Sequence, residues 1–381
     1  MSLPSHFCCF AFLLLAVAPA LAFAGGGWPL WAAYVDRFMT DEGRVVDPQA
    51  GDHSTSEGQA YGLFFALVAN DRPAFDRLLA WTEANLADGD LGKNLPSWLW
   101  ARGDDDRWGV QDPNAAADAD VWMAYTLLEA GEQWCDPALS LRGAKLAEQI
   151  VVREVRTLPG LGPMLLPGPR GFRPAPDVWQ LNPSYLALQP LLGLASRLPA
   201  GPWAEIAANG PRVILESRLH GFAADWTAYR NDQGFLFDPL PVAAPTASYD
   251  AIRVYLWAGM LAEESKGRSE LLAGLGRMKD YVGENGAPPA VVGADGGVQD
   301  PNGSVGFSAA LLPFVQAHGD EKAAKTLRNR LSAEYFPEDG LYTADPGYYD
   351  HNLVLFGLGW SEGRFAFEAN GRLRTPWKDS Q

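Results

Sequence analysis

The chain has 381 residues, with 46 acidic against 30 basic side chains and a formal net charge of −16. Hydrophobic residues make up 48% and charged ones only 20%, too apolar a balance for an intrinsically disordered chain. Such an excess of acid repels phosphate backbones, so neither nucleic acid nor an anionic membrane is expected as a partner.

The first 24 residues contain no Lys, Arg, Asp or Glu, and Phe10 to Val17 is an unbroken apolar run. Ala20-Leu21-Ala22 and Ala22-Phe23-Ala24 both read as small-x-small cleavage sites, so residues 1–24 are expected to be a secretory signal ending after Ala22 or Ala24. The run is too short to span a bilayer, and no membrane contact is expected after cleavage. The mature chain, 25–381, is expected as a single domain in the periplasm or outside the cell. Cys8 and Cys9 would leave with the signal. Cys135 then stands alone and is expected as a small buried hydrophobe, not a disulfide partner.

From Trp28 onward twelve stretches have helical character, near 28–40, 56–69, 72–87, 115–131, 137–154, 183–197, 201–218, 247–264, 267–283, 304–317, 319–334 and 349–361. Gly, Pro and Asn/Asp clusters separate them, as helix breakers do. Strand alternation is scarce; the short runs at Val291-Val292 and Phe235-Leu236-Phe237 suit hairpins in loops. Odd members such as 72–87 and 319–334 carry charge on one face and read as surface amphipaths. Even members such as 183–197 and 304–317 are nearly charge-free all round, the mark of a helix buried on every side. Twelve helices alternating in this way predict an all-α (α/α)6 barrel, six hairpins closed into an inner and an outer ring.

Alternating direction brings every even helix to start at one end of such a barrel. Those starts hold Glu57, Asp118 and Asp120, Tyr185, Asp250, and Tyr349-Asp350. One mouth is thus predicted to be lined with carboxylates and aromatics. For Glu57 two readings stand: Ser54 to Glu57 fits a capping box, yet the charge-free helix that follows would aim the carboxyl into the ring. Asp118 and Asp120 also suit a helix dipole, and two residues apart they point to different faces, so at most one faces the mouth. Asp250 has Ser248 before it as a candidate N-cap. Arg253, three residues on, shares its face and can hold the carboxylate.

Other chemistries lack their signatures. The five His, at 6, 53, 220, 318 and 351, show no metal-ligand spacing. No Gly-x-Ser-x-Gly elbow, phosphate loop or dinucleotide fingerprint is present. Carboxylates with aromatics remain, the equipment of glycoside hydrolysis. Trp98-Leu99-Trp100 is the best sugar-platform candidate.

The segment from Ala116 to Trp134 (AADADVWMAYTLLEAGEQW) resembles the signature of glycoside hydrolase family 8. STSEGQAYGL around Glu57 and SYDAIRVYLW around Asp250 resemble the family's other two motif regions, and the similarity runs from about Trp28 to Trp360. Two positions depart, Ala117 for a usual Ser or Thr and Thr126 for a usual Ser or Ala, both small for small. The likeness is greatest to the periplasmic endoglucanases of bacterial cellulose-synthesis operons. It implies an inverting endo-β-1,4-glucanase with Glu57 as general acid, Asp250 as base and Asp118 on the distorted sugar. It further implies Arg253 as support for Asp250, Tyr185 near the attacking water, and Trp98, Trp100, Trp179 and Tyr349 as glucose-stacking residues. No metal or other cofactor is implied. The expected partner is a β-1,4-glucan chain, with a cellulose synthase and export complex as a second candidate. The competing readings are a glycan-binding escort for nascent cellulose, or a relative acting on xylan, chitosan or mixed-linkage glucan.

Overall fold

Charge sorts the helices into two layers. The computed structural model describes residues 27–236 and 246–379, which places the signal segment and Phe237 outside the described residues. Apart from a four-residue turn of helix at Pro376–Asp379, the α-helices are α1 Pro29–Phe38, α2 Ser56–Val68, α3 Arg72–Leu86, α4 Ala117–Gln133, α5 Pro137–Arg153, α6 Leu188–Arg197 and α7 Trp203–Glu216. They continue with α8 Ala251–Met260, α9 Arg268–Gly274, α10 Gly276–Asn285, α11 Val305–Ala317, α12 Glu321–Ala333 and α13 Tyr348–Ser361.

The inner ring runs α2, α4, α6, α8, α11, α13 and back to α2, each helix packed on the next. Helices α3, α5, α7, α9 and α12 back onto α2, α4, α6, α8 and α11, and α1 backs onto α13. This is the (α/α)6 barrel. The inner helices are buried over nearly their whole length: every residue of α8 is buried, and in α4 only Glu132 is exposed. A charge-free surface permits that, because nothing on it must stay solvated. Glycines let the ring close tightly. A Cβ on Gly357 of α13 would lie 2.0 Å from the Ala309 carbonyl oxygen of α11. Among the described residues no helix is long and apolar enough to cross a membrane.

Two helical stretches are interrupted. The stretch at 183–197 opens with a 3-10 turn, Pro183–Tyr185, and becomes α-helical only at Leu188. Pro190 explains the gap, since its ring would clash with the Leu186 carbonyl in a continuous helix. The stretch at 267–283 divides into α9 and α10 at Leu275, which is flanked by Gly274 and Gly276.

Short antiparallel strands are commoner than their sparse alternation suggests. Strands β1 Ser54–Thr55, β2 Leu99–Arg102 and β3 Trp108–Asp112 form one sheet beside the start of α2. Strands β4 Val155–Leu158 and β5 Gly162–Leu165 pair as a hairpin. Strands β6 Val178–Leu181, β7 Thr227–Arg230 and β8 Gly234–Leu236 form a third sheet, and Val291-Val292 pairs with Val298–Asp300.

Capping differs between the rings. Outer helices α3, α5 and α12 start under their own aspartates, Asp71, Asp136 and Asp320, which accept from nearby backbone N–H groups. Of the inner helices, α4, α6, α8 and α13 have no cap from their own N-cap side chain. Side chains at those ends are left free for other partners.

Candidate active site

Arg253, buried in the first turn of α8, ties the mouth together. Its guanidinium donates to Asp118 Oδ2 at 2.7 Å, to the Tyr61 hydroxyl at 3.1 Å and to Asp250 Oδ1. Three inner helices, α2, α4 and α8, thereby meet at one cation. Asp118 is almost fully buried and also accepts from the Ala119 N–H at 2.9 Å. Burial pushes its carboxyl up from the ordinary value, against the pull of Arg253. The Asp250 side chain keeps 28% of its surface open, so water reaches it. The Tyr185 ring lies beneath the guanidinium, 5.6 Å from Cζ to the centroid, and the Trp257 indole N–H holds its turn at the Ser184 carbonyl at 2.9 Å.

Glu57 is the only residue of α2 that is not buried. The capping-box reading fails: Thr55, not Ser54, caps α2 by accepting from Gly58 N–H at 3.3 Å, and the Ser54 hydroxyl donates to the Val45 carbonyl at 2.5 Å. The Glu57 carboxyl instead accepts the Trp98 indole N–H at 3.2 Å. Desolvation, and then the negative charge of Asp118, push its pKa up to about 7. Its own backbone N–H, Arg253 and Trp98 pull the other way and are outweighed. The site thus pairs a carboxyl that carries a proton near neutrality with an open carboxylate held by arginine. One can give a proton while the other takes one, which is the division of labour that glycosidic cleavage requires.

Comparison with known proteins agrees with this chemistry. Residues 1–363 match the family described as glycosyl hydrolases family 8. The chain belongs to that family. As a family 8 enzyme it is a glycoside hydrolase. It is 46% identical to an endoglucanase of Xanthomonas axonopodis pv. citri over 95% of this chain and 94% of that one. It is 43% identical to an endoglucanase of Salmonella typhi, over 93% and 92%. Among solved structures, an endo-1,4-D-glucanase from Vibrio fischeri superposes with a TM-score of 0.81 at 36% identity, covering 92% of this chain and 99% of that one.

The remaining expected residues of this family 8 hydrolase divide. Trp98 is 38% exposed and lies at the mouth, whereas Trp100 turns towards the outer ring, its indole edge-on to Trp81 of α3 at 5.6 Å. The Tyr349 hydroxyl donates to the Tyr249 carbonyl, bracing the residue before Asp250. Trp179 needs correcting. It is 7% exposed on β6, beside Tyr229 and under the Arg173 guanidinium, with too little open ring to stack on a sugar. Cys135 needs the opposite correction: it is exposed, in a left-handed conformation (φ 54°), in the tight turn that must place Asp136 over the start of α5. Asp118 and Asp120 do face different ways, the first to Arg253 and the second to the buried Glu154.

Sequence reasoning missed four residues at this mouth. Tyr61 could have been found, since it lies four residues after Glu57 on the same helix face. Tyr348, next to Tyr349, shares a 3.1 Å hydrogen bond with Thr55 and adds to the surroundings of Glu57. Tyr249 is 58% exposed directly before Asp250. Asp225 had no local signal, and neither Ser248 nor any other side chain of the turn caps α8; the Ser248 hydroxyl donates to Asp225 instead.

Proposed function

We propose that this family 8 hydrolase is an inverting endo-β-1,4-glucanase that cuts cellulose or cello-oligosaccharides. The carrying observation is the contrast between Glu57, raised to about 7, and Asp250, open to water and held by Arg253. The endoglucanase names of the relatives support the substrate class. Glu57 protonates the glycosidic oxygen as its bond to the anomeric carbon breaks. Water attacks that carbon from the opposite face and gives its proton to Asp250, whose Oδ1 is held by Arg253 while the second oxygen stays open. Solvent then reprotonates Glu57 and takes the proton from Asp250. Asp118, fixed by Arg253, offers an acceptor to the sugar at the cleavage point, and Trp98 presents an open indole for an adjacent glucose.

Three substrates incubated in parallel, carboxymethylcellulose, xylan and chitosan, test the reading. Reducing sugar is expected mainly from the first, and proton NMR of fresh product should show the α-anomer first. A first-formed β-anomer would mean a retained configuration and a nucleophilic Asp250. Both Glu57→Gln and Asp250→Asn should lose several orders of magnitude in kcat while still binding cello-oligosaccharides. Binding without hydrolysis by the unaltered protein would leave a glycan escort instead.

The apolar segment 1–24, with its small-x-small sites, supports export to the periplasm, where a cellulose synthase and export complex is the proposed neighbour. Recovery of the protein in the periplasmic fraction, shortened after Ala22 or Ala24, is the expected result. Full-length protein in the cytoplasm would overturn it.

A further inference from the structure

An aspartate at the head of a helix ordinarily folds back onto the helix's own first N–H groups. Asp250 does not: it is the N-cap of α8, makes no side-chain capping bond, and spends its carboxylate on Arg253. The capping is done from another part of the chain. Asp225, 5% exposed in the segment just before β7, accepts the Ala251 N–H and the Ser248 N–H on Oδ1, both at 2.8 Å. Its Oδ2 accepts the Ser248 hydroxyl at 2.7 Å and the Thr246 hydroxyl at 2.9 Å. Its backbone N–H closes the set on the Thr246 carbonyl at 2.7 Å.

All five bonds go to one short segment, 246–251, the turn that carries Asp250. Among the described residues that turn has two other backbone ties to distant elements: Ala247, paired with Val292 in both directions at 3.0 and 2.9 Å, and the Tyr249 carbonyl, which accepts from the Tyr349 hydroxyl. A surface turn would satisfy these donors with water. Here a buried carboxylate meets four of them in fixed directions, and a side chain within the turn is released from doing so.

We infer that Asp225 is a positioning residue for hydrolysis: by capping α8 from outside, it frees the Asp250 carboxylate and aims it into the mouth. This rests on the reading of Asp250 as the base. Removing Asp225 would leave the Ala251 N–H bare, and Asp250 is the nearest carboxylate able to turn back onto it. The base would then be drawn away from the attacking water, while the groove that binds glucan is untouched. A displacement of about 1 Å in a reacting group can cost roughly 100-fold in rate.

The test compares Asp225→Ala, Asp225→Asn and Asp250→Asn on carboxymethylcellulose and on a cello-oligosaccharide. Asp225→Ala should lower kcat about 100-fold with KM and oligosaccharide affinity within about twofold of the unaltered enzyme. Asp225→Asn should recover most of that loss, because its amide oxygen still accepts both backbone N–H groups and the two hydroxyls can turn to accept from its amide nitrogen. An inactive Asp250→Asn beside a fully active Asp225→Ala would overturn the inference and leave the base intact. An active Asp250→Asn would instead sink the base reading itself. Loss of kcat and affinity together in Asp225→Ala, without recovery in Asp225→Asn, would make Asp225 a general structural residue and also overturn the inference. Should Asp225→Ala fail to fold, the double variant Thr246→Val/Ser248→Ala removes both donors to Oδ2 and leaves the backbone bonds. It should lower kcat several-fold at unchanged KM, and an unchanged kcat would refute the role.

Discussion

Trp98 donates its indole N–H to Glu57 Oε1 at 3.2 Å while 38% of its surface stays open at the mouth. One side chain therefore touches the proposed acid through its edge and is the proposed platform for a sugar. The bond favours the ionised carboxylate and so works against the rise in Glu57 pKa. Replacing Trp98 with Phe keeps an aromatic face and removes the donor. The alkaline limb of kcat/KM should move to higher pH, by up to about one unit for a bond worth roughly 0.5–1.5 kcal/mol. A variant with raised KM and an unmoved limb would make Trp98 a sugar platform alone.

Asp118 acts on the same limb with the opposite sign. Its negative charge is the second cause, after burial, of the high Glu57 pKa. Asp118→Asn removes that charge, so Glu57 should release its proton at lower pH and the alkaline limb should move down. A fall in kcat should accompany the shift, since a neutral amide at this position would hold Arg253 less firmly than the carboxylate does. A slower enzyme with an unmoved limb would mean that burial alone sets the acid.

Asp120 and Glu154 form a buried carboxyl pair on the far side of α4. Their four oxygens meet no donor from any other side chain or N–H, and the two groups bond to each other. Such a contact requires a shared proton. Burial raises both carboxyls, Asp120 well above its ordinary value and Glu154 to about 8 from an ordinary 4.5, so the folded protein holds their protons more tightly than the unfolded chain does. The stability that the Glu154 proton contributes is complete below about pH 4.5 and is lost as pH rises through about 8. Glu154→Gln supplies a permanent donor. Between pH 5 and pH 9 the Tm of the unaltered protein should fall by at least about 4 °C more than that of the variant. Parallel melting curves would contradict a shared proton.

Gly357 and Gly276 make a packing contrast. At Gly357 a methyl group would meet the Ala309 backbone at 2.0 Å, and backbone cannot rotate away as a side chain does. Gly357→Ala should cost about 1–3 kcal/mol by forcing α11 and α13 apart. At Gly276, in the first turn of α10, an added Cβ meets nothing within 4 Å. Gly276→Ala should be neutral or stabilising by about 0.4–1 kcal/mol. Urea unfolding of both variants checks the pair, and equal effects would count against close ring packing.

The layered ring was legible because helix formation and burial are written in local period. A charge-free stretch such as 304–317 can only be an inner helix, and a one-sided stretch such as 319–334 only an outer one. Direction followed from short connections, and with it the gathering of Glu57, Asp118 and Asp250 at one mouth. Period also separates Asp118 from Asp120, since neighbours two apart on a helix diverge.

What local period cannot supply is the choice between partners of equal local merit. The Ser54–Glu57 pattern suits a capping box, and only the route of β1 beside β2 gives Ser54 the Val45 carbonyl and Glu57 the Trp98 indole. Ser248 is a sound N-cap by composition, yet Asp225 takes its hydroxyl once the ring brings the β7 region against α8. Trp179 and Trp98 are chemically alike, and the third sheet buries one while the mouth exposes the other. Residues, spacing and charge alone determined the rings and the carboxylates at their shared end. The Asp250–Arg253 pair, three residues apart, was legible too. Closure of the ring decided which distant donors Glu57, Asp118 and Asp225 meet, because those contacts join residues tens of positions apart whose approach no local pattern encodes.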